Sequence, residues 1–187
     1  MKSSTSTALD VFLYLLVTVT LYAIAVSAMS LLFQYVNYFF PDPLDYPRGM
    51  TEILRTVLSV LIIFTPVYVW TTRFLNKDMA KSPEKHGLAI RRWLVHLTLF
   101  ISGITIMVDL ATFVYNFLSG ELTARFALKF VAVLLVAAVV FAYYIWDIKR
   151  DAKAMPAKMT WLSRVSLAVL LVAVVGGFFI IKSPADH

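Results

Sequence analysis

Five long apolar segments dominate this 187-residue sequence, and its basic residues fall in every second gap between them. A bilayer core about 30 Å thick takes about 20 apolar residues as a helix. Each of these segments is that long, so lipid, not water, is the expected solvent. The composition agrees, with 60% hydrophobic and 15% charged residues and mean hydropathy +0.80. A water-soluble domain of this size could not bury that much apolar surface. A strand reading fails, because the segments are too long for barrel strands and do not alternate. Each segment must satisfy its own backbone in lipid and is therefore a helix. The expected fold is an all-α integral membrane bundle in a single membrane domain, 1–187.

The spans are expected at about 11–40, 53–75, 93–118, 122–146 and 161–181. Pro41-Asp42-Pro43 stops the first, because proline cannot continue the hydrogen-bond ladder. Pro66 lies inside the second, where a kink is expected. Ser119-Gly120 is expected to form a tight turn between the third and fourth. Ala23-Ile24-Ala25 has the look of a cleavage site, but apolar sequence continues past it through Phe33, so a retained anchor is the better reading.

Orientation follows from the cations. With the N-terminus in the cytoplasm, the inner set is Lys2, Arg73, Lys77, Lys81, Lys85, Arg91, Arg92, Lys149, Arg150, Lys153, Lys158 and Arg164, twelve of the 17 lysines and arginines. The positive-inside rule then predicts five spans with the C-terminus outside. Trp70, Trp93, Trp146 and Trp161 all fall at that same inner interface, where indoles prefer to sit. Charge on the two inner connections reads as topogenic, with attraction to anionic lipid as the alternative. The net charge of +6 does not imply nucleic acid, because the cations flank apolar segments and form no basic soluble face.

The chain has no cysteine, which excludes disulfides and thiolate chemistry. No HExxH, GxSxG, P-loop or dinucleotide fingerprint is present. His96 has no facing histidine for a haem, so no cofactor or metal is expected. Without a nucleophile–base pair, an enzyme is not expected either.

The polar residues inside the spans are the candidate site. Counted from Gly120, Asp109 and Lys129 fall at similar depth, roughly 14–16 Å along antiparallel helices, so a contact is geometrically easy. An unpaired charge at mid-bilayer costs about 2.5–3.5 kcal/mol on insertion scales. Thr105, Asp109, Thr112 and Asn116 share one helical face, as do Glu121, Arg125 and Lys129. Ser27, Ser30, Gln34 and Asn37 follow the first helix, and Glu52 and Arg55 open the second. Two readings stand. One is an outward-facing polar vestibule around Asp109, Lys129, Arg125, Asn116, Gln34 and Arg55, suited to transport or small-solute binding. The other is interhelical glue in a structural or accessory protein. The lower half has fewer polar groups, chiefly Thr65 and His96. Ala138-xxx-Ala142 and Ala173-xxx-Gly177 have the small-xxx-small spacing that permits close helix contact.

A sequence of runs carries a resemblance: Ser30-Leu31-Leu32-Phe33-Gln34, Pro41-Asp42-Pro43, Arg91-Arg92-Trp93-Leu94, Leu97-Thr98-Leu99-Phe100, Asp109-Leu110, Gly120-Glu121-Leu122-Thr123 with Arg125, Phe126 and Lys129, and Tyr143-Tyr144-Ile145-Trp146-Asp147. In this order they resemble a bacterial family of small multi-span membrane proteins known by a domain-of-unknown-function label. The resemblance covers about residues 8–150. It implies a four-helix core in the bacterial inner (cytoplasmic) membrane, with 151–187 as an added fifth helix, and it implies no activity. His96 departs from it, where an aromatic residue is expected. The partners expected are the lipid bilayer and a homo-oligomer or larger membrane complex.

Overall fold

The computed structural model describes residues 8–41, 47–81, 88–120, 122–153, 168 and 170–179. Asp42, Pro43, Lys85, His86, Glu121, Trp161 and both termini, which figure in the sequence reading, lie outside them. Four long helices are formed: α1 (Ala8–Phe39), α2 (Pro47–Lys81), α3 (Ala89–Leu118) and α4 (Ala124–Lys153). All four are long and apolar enough to cross a membrane, and a shorter apolar helix, α5 (Leu170–Phe179), follows.

The helices run beyond the apolar stretches that announce them. α2 begins at Pro47 and ends at Lys81, and α4 continues to Lys153. Charge ends an apolar stretch but not a helix, since lysine, arginine and glutamate are good helix formers. Arg55, Arg73, Lys77, Arg91 and Asp147 therefore stand on helical turns. α2 is continuous through Pro66.

α1 is the hub, packing against α2, α3 and α4, and α3 also packs against α4. The end where α1 and α3 begin and α2 and α4 end is called lower here; the other end is upper. At the lower end Leu13 and Tyr14 of α1 meet Leu75 of α2 and Leu88 and Leu94 beside or within α3. At the upper end Leu31 of α1, Leu54, Val57, Leu58 and Leu61 of α2 and Val174 of α5 form a second cluster.

α5 docks closely there. The Tyr35 hydroxyl donates to the Ala173 carbonyl oxygen. A Cβ at Gly177 would lie 3.1 Å from a Leu58 methyl, and one at Gly176 would lie 2.6 Å from the Tyr35 hydroxyl oxygen. The Ala173-xxx-Gly177 spacing is thus used for packing. Ala138 and Ala142 are exposed, so that second spacing is not.

The upper half of α3 is the least covered part of the bundle. Met107, Val108, Leu110, Val114 and Phe117 are all exposed, while Phe113 stacks on Phe126 and meets Phe130 of α4 at a tilt. In water such a surface would drive aggregation; in hydrocarbon it costs nothing.

Candidate functional site

Two polar assemblies lie within the bundle, one in each half. The lower one centres on an ion pair between Arg91 of α3 and Asp147 of α4, with Nη2 donating to Oδ2 at 2.8 Å and both side chains nearly inaccessible. The helical register explains the placement. Arg91, Leu94, Val95, Thr98 and Ser102 form the buried face of α3. On α4, Tyr144 and Asp147 are both buried, one turn apart. The first turn of α3 thus carries its guanidinium into the bundle and not into the headgroups.

Around the pair is a cavity of about 60 Å³, also lined by Tyr14, Thr18, Tyr68, Thr72, Asn76, Tyr143 and Tyr144. All four long helices contribute to it. At about 10–15 Å³ for each water, it has room for a handful of waters. Small-molecule sites generally measure about 300–1,000 Å³. Higher up, the Tyr22 hydroxyl meets the Thr98 Oγ1 at 2.9 Å. The Thr98 hydroxyl also donates to the Leu94 carbonyl, which leaves Tyr22 as donor across the α1–α3 interface.

From the sequence, fewer polar groups are expected in the lower half, chiefly Thr65 and His96, and none of this assembly is singled out as a site. Arg91 and Asp147 sit among other charges at the ends of apolar stretches, where charge ordinarily sets topology. The signal for them was the buried helical face running back past Trp93 to Arg91, and forward past Tyr144 to Asp147. His96, by contrast, is exposed, and its Nδ1 lies 2.6 Å from the Arg92 carbonyl oxygen on its own helix.

The upper assembly contains the residues singled out from sequence, and the structure joins only some of them. Arg125 donates from Nε at 3.2 Å and from Nη2 at 2.9 Å to Asn37 Oδ1. Asn37 in turn donates to Gln34 Oε1 at 3.3 Å. α4 is thereby tied to the polar face of α1. Lys129 holds its Nζ 5.7 Å from the Phe33 ring centre, within cation–π range.

Asp109 does not pair with Lys129. Its Oδ2 is shielded and has no hydrogen-bond partner, and no ion pair reaches it among the described residues. The equal-depth estimate fails at the start of α4. Leu122 and Thr123 are not helical, and Thr123 instead caps the helix, accepting from the Phe126 N–H at 3.1 Å. Starting at Ala124, α4 places Lys129 about 7.5 Å below its upper end, while Asp109 lies about 13.5 Å below that of α3.

Asn116 turns back to its own helix, donating to the Thr112 carbonyl at 2.8 Å, and Thr112 and Thr105 likewise bond one turn back. Arg55 is exposed on α2. Of the six residues expected in a vestibule, Gln34 and Arg125 are joined through Asn37; Asp109, Lys129, Asn116 and Arg55 make separate arrangements.

No group of three or more histidine, aspartate or glutamate side chains is placed to hold a metal ion among the described residues. The four membrane-length helices and the charge pair buried among them define a multi-pass helical membrane protein. Its sequence matches the family described as a domain of unknown function, DUF5671, over residues 10–130. The chain belongs to that family. The match covers α1 to α3 and the start of α4, a shorter stretch than the 8–150 suggested by the runs of similar sequence. No curated protein and no solved structure matches the chain.

Proposed function

We propose that this protein is a non-enzymatic structural or accessory component of the bacterial inner membrane, built from five spans with its N-terminus in the cytoplasm and its C-terminus outside. The observation that carries the reading is the Arg91–Asp147 pair. The two charges that line the lower cavity neutralise each other and tie α3 to α4, which is what a structural pair does. The cavity beside them suits a few waters and no metabolite.

Exchanging the charges tests this. Arg91→Asp and Asp147→Arg should each lower the melting temperature in mild detergent, and the double exchange should recover part of the loss. Full loss in the double exchange, or turnover of a substrate that depends on Asp147, would refute the reading.

A second reading, solute binding or transport from the upper side, is favoured by one observation: the Asp109 carboxylate has a shielded oxygen with no hydrogen-bond partner. It expects that ammonium or a small alkylamine raises the melting temperature, and that Asp109→Asn abolishes the rise. A melting temperature that ammonium and the amine leave unchanged counts against it.

A further inference from the structure

In the upper halves of α2 and α3, Arg55 and Asp109 are opposite charges without an ion-pair partner among the described residues; Glu52, one turn above Arg55, lies nearer the upper end of α2. Arg55 is exposed on α2, and the Asp109 side chain on α3 is partly exposed, with one oxygen shielded and unbonded and the other side of the carboxylate left for a partner. At about 1.5 Å per residue, Arg55 lies about 12 Å below the upper end of α2 at Pro47, and Asp109 about 13.5 Å below that of α3 at Leu118. The difference in depth is far less than the reach of an arginine side chain. α2 and α3 share no extended interface within the chain.

Copies of a membrane protein insert in one direction, because the cation bias orients each of them alike. A closed assembly therefore has its symmetry axis along the membrane normal, and only residues of equal depth meet between copies. Equal depth and opposite charge together select the partner. Resting on the structural reading above, we propose that a second copy of this chain covers the upper half of α3 with its α2, and that Arg55 of one copy pairs with Asp109 of the next. Ile62, two turns from Arg55 on the same face of α2, and Val108 beside Asp109 on α3 are exposed apolar side chains that pack around the pair.

The cysteine-free chain allows a direct test. Ser59 lies one turn below Arg55, and Thr105 one turn below Asp109. The Ser59 hydroxyl donates to the Arg55 carbonyl at 2.8 Å and the Thr105 hydroxyl to the Ile101 carbonyl at 2.9 Å, each on its own helix. Full-length Ser59→Cys and Thr105→Cys copies with different tags would be co-expressed, and their membranes oxidised with copper phenanthroline. The expected result is a disulfide between the two tags, with both native charges intact. In an Arg55→Asp background the disulfide should be lost, and in Arg55→Asp/Asp109→Arg it should return. Crosslinking solely between Thr105→Cys copies, or an oligomer of defined mass in lipid nanodiscs with no mixed disulfide, overturns this interface and leaves the structural reading standing. A particle of single-chain mass in nanodiscs also overturns it. Failure of the structural reading would appear separately, as an ammonium-induced melting shift that requires Asp109.

Discussion

Truncating either partner of the Arg91–Asp147 pair leaves the other charge enclosed and unpaired, which costs about 3–5 kcal/mol for a buried pair. Arg91→Ala and Asp147→Ala are each expected to destabilise by that order, measured by denaturant unfolding in detergent. Arg91→Met with Asp147→Leu should recover most of the loss, because an apolar replacement of both partners leaves nothing to desolvate. The Arg125–Asn37 contact is more accessible. Asn37→Leu should cost about 1.5 kcal/mol, the low end for hydrogen bonds to a charged group. The same residues show how far a site is legible in sequence. Helical periodicity puts Gln34 and Asn37 on one face of α1, which needs only that the helix exist, and Arg125 meets that face. Asp109 and Lys129 were matched by counting from Gly120, and the non-helical Leu122–Thr123 step shifts that count by more than one turn. Arg91 and Asp147 were hidden because a charge beside an apolar stretch looks alike whether it faces lipid headgroups or the bundle.

The existence of each long helix follows from the need to satisfy its backbone in hydrocarbon, and the structure keeps all four. Their ends are less legible, because hydropathy falls at the first charge while the backbone ladder continues through it. α5 illustrates what spacing does and does not convey. Ala173 and Gly177 form a contact surface, whereas Ala138 and Ala142, equally spaced, are exposed; nothing in the spacing tells which face meets a neighbour. With a Cβ at Gly177 only 3.1 Å from Leu58, Gly177→Leu overpacks this interface at an expected cost of about 1–3 kcal/mol. A single Val174→Cys reporter, buried at 9% exposure, should react slowly with a membrane-permeant maleimide. Adding Gly177→Leu should speed the reaction. An unchanged rate would mean that α5 does not depend on this contact. In the α3–α4 turn Gly120 has φ +71°, so Gly120→Ala should cost about 1 kcal/mol through left-handed strain.

Across the whole molecule, the position of α5 bears on how many times the chain crosses the membrane. α4 ends at Lys153 at the lower end. Val174 packs with Leu31 and Leu58 near the upper end, and Leu31 lies about 35 Å along α1 from Ala8 at ~1.5 Å per residue. Lys153 and Val174 thus lie near opposite ends of the bundle. The proposed five-span reading needs the chain to leave at the upper face after α5. In the proposed orientation the lower face is the cytoplasmic one. A fluorescent reporter that matures only in the cytoplasm should therefore glow when fused at the N-terminus or after Lys153, and stay dark when fused at His187. A periplasmic alkaline phosphatase reporter should give the reverse pattern. Cytoplasmic fluorescence from the His187 fusion would mean that α5 docks from within the bilayer without completing a fifth crossing. It would confine the span count to the four long helices.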